Sequence, residues 1–213
     1  MKISLLCTDE NHPVNSYLDD WIKLKRDEHE FTLVHKKTDL KGGDVLFLIS
    51  CAEIIDAPTR SKFNECLVLH CSDLPRGRGW SPHVWEIISG ANQVTLCLLE
   101  AEDKVDSGRI WNKVTIEIPR NALWYEIDEL IFLAEIKLLD ITLSNFDQVK
   151  PIAQDPYAEP SYWPKRTPLD SEIDVHKSIA SQFDQIRVCN PERYPAFFDF
   201  RGSSYKLYIE KIS

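Results

Sequence analysis

Apolar residues recur along the first two-thirds of the chain in two alternating rhythms. Short dense runs read as strands: ISLLCT (Ile3 to Thr8), DVLFLIS (Asp44 to Ser50), CLVLHCS (Cys66 to Ser72) and QVTLCLLEAE (Gln93 to Glu102). FTLVHK (Phe31 to Lys36) alternates as a half-buried strand does, and NKVTIEIP (Asn112 to Pro119) is a further strand. Runs without alternation are expected of strands covered on both faces. Between them, YLDDWIKLKRD sets Tyr17, Leu18, Trp21, Ile22 and Leu24 at helical spacing, and PHVWEIIS puts Val84, Ile87 and Ile88 on one helical face. A long helix from about Leu123 to Gln148 is apolar nearly all round, which predicts burial, in part against a second copy of the chain in a homodimer. Repeated β-then-α order predicts an α/β fold with a mostly parallel sheet and helices on both faces. Ligands of such sheets collect outside the carboxyl ends of the strands, where Ser50, His70 and Ser72 fall.

From Lys150 to Pro168 the pattern changes. KPIAQDPYAEPSYWPKRTP holds five prolines and no helical period, so it reads as a linker or an extended strap. Beyond it, DVHKSIASQFDQIRV (Asp174 to Val188) reads as a short helix, and YPAFFDFRGSSYKLYIEKI as a hairpin turning at Arg201-Gly202-Ser203. The expected organisation is a main domain over residues 1–149, then a linker and a small carboxyl-terminal helix–hairpin subdomain over residues 150–213.

Composition narrows the function. A chain of 213 residues can bury one good-sized core. The net charge of −9 argues against a broad nucleic-acid surface, which rests on clustered Lys and Arg. From Lys150 onward nine basic residues meet nine acidic ones, so the tail offers no basic face for tRNA. No apolar run reaches bilayer length, and the opening MKISLLCTDENHPVN turns acidic too soon for a signal peptide; no membrane partner and a cytoplasmic location are expected. The six cysteines lack a paired CxxC pattern, and Cys7, Cys66 and Cys97 lie in apolar runs. They read as reduced core residues, not as disulfides or a metal site.

One loop concentrates chemistry. LHCSDLPRGRGWSPH (Leu69 to His83) holds two of the chain's seven glycines, two arginines, a tryptophan and a histidine at a strand end. Ser81 followed by Pro82 signals a capped helix start. Its free N–H groups would sit beside Arg76 and Arg78, a combination that suits a phosphate or carboxylate, although a capped helix with two solvated arginines fits equally. Gly77 and Gly79 suit a tight turn or a close approach of backbone to ligand. Asp106, in KVDSG, follows His70 by 36 residues, one strand–loop–helix–strand unit, so the two strand ends are expected at one edge of the sheet.

His70, Ser72, Leu74, Pro75 and Gly79 spell H-x-S-x-L-P-x-x-x-G, and Asp106 to Gly108 spell D-x-G. This pattern resembles the formyltransferases that use N10-formyltetrahydrofolate, and most of all their branch acting on nucleotide-linked amino sugars, of the pseudaminic-acid-pathway type. The segment from Lys165 to Ile209 is similar to that family's post-catalytic segment. The resemblance implies a Rossmann-like catalytic domain, a cytoplasmic enzyme of glycan biosynthesis, and N10-formyltetrahydrofolate as co-substrate. A methionyl-tRNA formyltransferase would share the domain but is expected to carry a larger, basic carboxyl-terminal domain.

The resemblance assigns His70 and Asp106 as catalytic, His70 handling the amine's proton and Asp106 supporting the imidazolium. It places the folate between Ser50, Cys51, Ala52, Glu53 and Ile54 on one side and Glu102, Asp103 and Val105 on the other. For the acceptor, the candidates are Arg76, Arg78, Gly79, Trp80, Ser81 and His83, with Arg187 and Tyr194 from the tail. One departure stands out. The family's catalytic asparagine lies two residues before the histidine, where this chain has Val68. Residues two apart share a strand face, so Val68 is expected where the amide would be. A valine cannot donate to an oxyanion, and loss of one such donor costs about 2.7–4 kcal/mol in rate terms. Either protonated His70, a backbone N–H or Ser50 takes over that task, or the chain is a catalytically inactive folate- or nucleotide-sugar-binding relative.

Overall fold

Strand β1 (Lys2–Leu6) shows how the apolar runs are used: Ile3 and Leu5 enter one hydrophobic cluster and Leu6 another, on opposite faces of a sheet. The computed structural model describes residues 1–212. After β1 come α1 (Val14–Lys25), β2 (Glu30–Val34), β3 (Gly43–Leu48), the single turn α2 (Ala57–Arg60) and β4 (Phe63–His70). The loop strand β5 (Arg78–Gly79) and α3 (Pro82–Ile88) lead to β6 (Gln93–Glu100), β7 (Ile110–Glu117) and α4 (Trp124–Ser144). A six-stranded sheet runs β2-β1-β3-β4-β6-β7. The first four strands in that order are parallel, while β6 is antiparallel to both β4 and β7. The α/β, mostly parallel sheet is as the pattern predicted.

The two faces are covered unequally. Val45, Phe47, Leu67 and Leu69 join Leu18 and Trp21 of α1 and Ile131 and Leu138 of α4 in the larger cluster. On the other face Leu46, Leu48 and Cys66 meet Leu40, Ile55 and Phe63, supplied by loops and strand ends. That face carries no long helix among the described residues, a departure from helices on both sides, and it leaves room for a cavity.

The proline-rich segment is a strap with a structural task. Its strand β8 (Tyr162–Trp163) pairs in parallel with β5, and Ile152 bridges Ile110. Trp163 stacks on Trp85 of α3 with ring centroids 5.7 Å apart, and Trp85 Nε1 donates to the Pro164 carbonyl at 3.1 Å. The helix expected over Asp174 to Val188 shortens to α5 (Phe183–Arg187). Local side-chain bonds win over its first half: the Gln182 amide donates to the Asp174 and Ser178 carbonyls, and Ser178 and Ser181 bond one another. The hairpin forms as expected from β9 (Ala196–Phe200) and β10 (Ser203–Leu207), turning at Arg201 and Gly202, both at positive φ. Ile173, Ile186, Cys189 and Ala196 give this tail its own small cluster.

Candidate functional site

The strand order reverses between β1 and β3, because β2 lies to one side of β1 and β3 to the other. A crevice opens at the carboxyl ends of strands at such a switch point. Here it is a cavity of about 640 Å³ that wraps over the sheet edge. One side is walled by the exits of β3 and β6, with Leu48, Ser50 to Ile55, Val68 and Glu100 to Glu102. The other is walled by α4, with Asp128, Ile131, Phe132 and Glu135. His70 and Gly79 lie between.

His70 is buried at the end of β4. Its Nε2 lies 2.9 Å from the Gly77 carbonyl, and a carbonyl only accepts, so Nε2 carries the hydrogen. Nδ1 is therefore the basic nitrogen, and it faces Asp106 Oδ1 at 3.6 Å. Asp106 is itself fixed: its Oδ2 accepts from the Gly79 N–H at 2.9 Å, and its backbone is left-handed, with φ of 54°. A proton arriving at Nδ1 would be met at once by a carboxylate.

Both motif glycines owe their place to close backbone approaches. A Cβ on Gly79, at φ +99°, would stand 2.4 Å from the Trp163 carbonyl of the strap; one on Gly108 would stand 2.0 Å from the Glu100 carbonyl. The strap holds the loop further through Arg78 N–H to the Ser161 carbonyl (2.9 Å), Trp80 N–H to the Trp163 carbonyl (3.2 Å) and Gly77 N–H to Ser161 Oγ (2.9 Å). Gly79 thus admits the strap and Gly108 the end of β6, while Gly79 also faces the cavity.

The pairing of His70 and Asp106 comes about differently from the expectation. Because β6 is antiparallel to β4, Glu100 sits beside Leu67 and the strand ends point opposite ways. The loop after β6 instead returns along the sheet and delivers Asp106. Val68 does line the cavity with His70, as the period of two requires. Ser50, Cys51, Ala52, Glu53, Ile54, Glu102 and Val105 line it as well, but Asp103 turns away to pair with Arg60.

The acceptor candidates divide. Gly79, Trp80, Ser81, His83 and Tyr194 line the cavity. Arg78 does not: it is buried in the strap interface, donating to Gln154 Oε1 at 2.6 Å and Tyr162 Oη at 3.1 Å, and borders a separate recess of about 310 Å³. Arg76 is exposed and outside the cavity. Arg187 is fully buried, bonded to Asp184 and to the Pro119 and Ala122 carbonyls, and so pins the tail to the connection between β7 and α4. Ser81 caps nothing, because its own backbone is left-handed at φ 45° and its hydroxyl makes no cap bond.

Several cavity residues carried little sequence signal. Thr8, after β1, takes the Ala52 N–H at 2.8 Å and so shapes the β3 exit. Asp9 pairs with Arg193 at 2.7 Å. Lys165 and Arg166 lie over the Trp80 and Tyr194 rings at 4.7 and 5.2 Å. Burial lowers His12 and His83 to about 4, so both are neutral at pH 7. Burial raises Asp128 to about 6, and burial together with the charge of Asp128 raises Glu135 to about 8. Among the described residues no helix is long and apolar enough to cross a membrane.

An α/β domain with a histidine–carboxylate pair in a switch-point cavity is the class defined by fold and site. No family model matches the chain. It is 29% identical over 184 residues to a methionyl-tRNA formyltransferase of Rickettsia prowazekii, covering 85% of this chain and 58% of that protein. It is 32% identical over 156 residues to the one of Francisella philomiragia, covering 73% and 47%. The chain spans about half the length of the curated relatives it matches. A methionyl-tRNA formyltransferase from Clostridium thermocellum superposes with a TM-score of 0.81 at 20% identity, over 97% of this chain and 96% of that one. A sugar N-formyltransferase from a Shewanella strain gives 0.76 at 15%, over 100% and 99%. HypX from Aquifex aeolicus, in complex with tetrahydrofolic acid, gives 0.77 at 20%, over 96% and 36%. The fold is that of the formyltransferases, and the chain is a sequence relative of these enzymes.

Proposed function

We propose that the protein moves a formyl group from N10-formyltetrahydrofolate to the amine of a nucleotide-linked amino sugar. The observation that carries this reading is the His70–Asp106 pair inside the cavity, with Nε2 tied to Gly77 and Nδ1 left as the base. The apolar wall of Leu48, Ile55 and Val68, flanked by the backbone of residues 50–55 and 100–106, suits a flat heterocycle whose polar edge is met by main-chain groups. A structural neighbour, HypX, is solved in complex with tetrahydrofolic acid, and the sugar N-formyltransferase matches this chain almost end to end. Trp80 and Tyr194 offer aromatic faces for a sugar or base, and Lys165, Arg166 and Arg193 replace Arg76, Arg78 and Arg187 as the cations beside it.

His70 Nδ1 takes one proton from the acceptor's ammonium, leaving a neutral amine, and Asp106 stabilises the imidazolium. The amine nitrogen bonds to the formyl carbon, the bond from that carbon to N10 breaks, and N10 receives the second amine proton. His70 then returns its proton to solvent. Formyl transfer to UDP-, dTDP-, GDP- or CMP-linked amino sugars, followed as tetrahydrofolate release and abolished by Asp106→Asn, is the expected result. Val68 favours one other reading, a binding relative without turnover. Folate binding with no release on any acceptor would establish it.

A further inference from the structure

Helix α4 presents Asp128, Ile131, Phe132 and Glu135 to the cavity, at the i, i+3, i+4, i+7 spacing of one helical face. Glu135 is 7% exposed, and its Oε2 is buried with no hydrogen-bond partner. Among the described residues, no lysine or arginine nitrogen lies within 4.0 Å of either carboxylate. Arg193 lines the same cavity and its charge lowers Asp128, but its ion pair is with Asp9 at 2.7 Å, and it does not bond Glu135. A buried carboxyl oxygen without a partner inside the chain, on a cavity wall beside a second carboxyl, is suited to a ligand that brings its own donor.

Resting on the formyl-transfer reading, we propose that the α4 side of the cavity is the subsite for the acceptor's primary ammonium group, with Glu135 as its hydrogen-bonded counter-ion and Asp128 adding negative charge at longer range. An ionised carboxylate is acceptor-only and matches the three donors of an ammonium, whereas a hydroxyl brings no charge to draw the Glu135 proton off and meets only a neutral acid. The subsite therefore selects an amine over the corresponding alcohol, which is the discrimination that a formyltransferase acting on nitrogen requires. Phe132 and Ile131 supply the apolar part of the wall around it. As the ammonium seats, Glu135 gives its own proton to solvent and the pair forms without a net buried charge.

The test uses the whole chain at pH 7, as wild type, Glu135→Gln and Asp128→Asn. Each is titrated with D-glucosamine hydrochloride and with glucose at matched ionic strength, and Tm is read; tetrahydrofolate binding is measured alongside. Glucosamine is expected to raise the wild-type Tm where glucose does not. Glu135→Gln, an isostere that keeps the fold, should weaken the apparent glucosamine affinity about tenfold or more, with tetrahydrofolate binding unchanged. No amine-specific rise in the wild type, or an equal rise in Glu135→Gln, overturns the subsite. An amine response without any tetrahydrofolate binding supports the subsite and overturns the formyl-donor reading instead.

Discussion

His70 and Gly77 are joined by a 2.9 Å contact from ring nitrogen to backbone carbonyl, and that contact decides which nitrogen of the imidazole is basic. Six residues of loop separate the two, and the pairing of β8 with β5 helps to hold the loop in shape. The tautomer of the candidate catalytic base is thus set by a strap that begins near Lys150. Asp106 completes the arrangement from the opposite direction, through a loop that leaves an antiparallel strand.

Asp106→Asn keeps an oxygen for the Gly79 N–H but removes the charge that meets a proton on Nδ1. Formyl transfer should fall by about 10²–10⁴-fold in kcat, with the circular-dichroism spectrum unchanged. Steady-state kinetics on the best acceptor from the panel provide the check, and undiminished kcat would remove Asp106 from the mechanism.

Val68→Asn restores an amide donor on the strand face that His70 shares. If the oxyanion is under-stabilised in this chain, kcat should rise by about 10²-fold, at a stability cost of about 1 kcal/mol from placing an amide against Leu74, Cys97 and Leu99. A fall in kcat would mean that another donor already occupies the position.

Gly79→Ala forces a Cβ towards the Trp163 carbonyl at a backbone angle that side chains resist. The expected loss is about 1–3 kcal/mol in urea unfolding. Faster amide exchange should accompany it at Arg78 and Trp80, whose N–H groups bond the strap. Protected amides in the variant would mean that the strap is held elsewhere.

Arg187→Met tests whether this arginine serves substrate or structure. It removes donors from the half-buried Asp184 and from two backbone carbonyls, so unfolding free energy should drop by about 2–3 kcal/mol while the acceptor KM stays within twofold, roughly the scatter of such assays. A large KM change at unaltered stability would return Arg187 to the substrate site.

Glu135 gives a pH signature of stability with a defined sign. Its carboxyl sits at about 8 in the folded chain, against an ordinary 4.5, because it is buried beside Asp128. Between those values the folded state holds a proton that the unfolded state has lost, so the stability linked to this group is fully present below pH 4.5 and is lost as pH rises through 8. The Tm of Glu135→Gln minus that of the wild type should be smallest near pH 5 and largest near pH 9. A difference that does not change with pH would show that the carboxyl ionises normally.

The sequence by itself determined the order of elements, the mostly parallel sheet, the hairpin at Arg201-Gly202, and the placing of Val68 and His70 on one strand face. These are local matters: a period of two or 3.6, a turn dipeptide and a run length are written in neighbouring residues. What the chain does with charged side chains was decided only in three dimensions. Arg76, Arg78 and Arg187 look alike in sequence, yet one is solvated, one is locked beneath the strap and one pins the tail, because their partners lie far away along the chain. Glu135, in an apolar helix, carries no sequence signal of its place for the same reason. Whether a carboxyl on a helix is wet, paired or aimed into a cavity depends on which elements pack around it, and that information is carried by tertiary contacts alone.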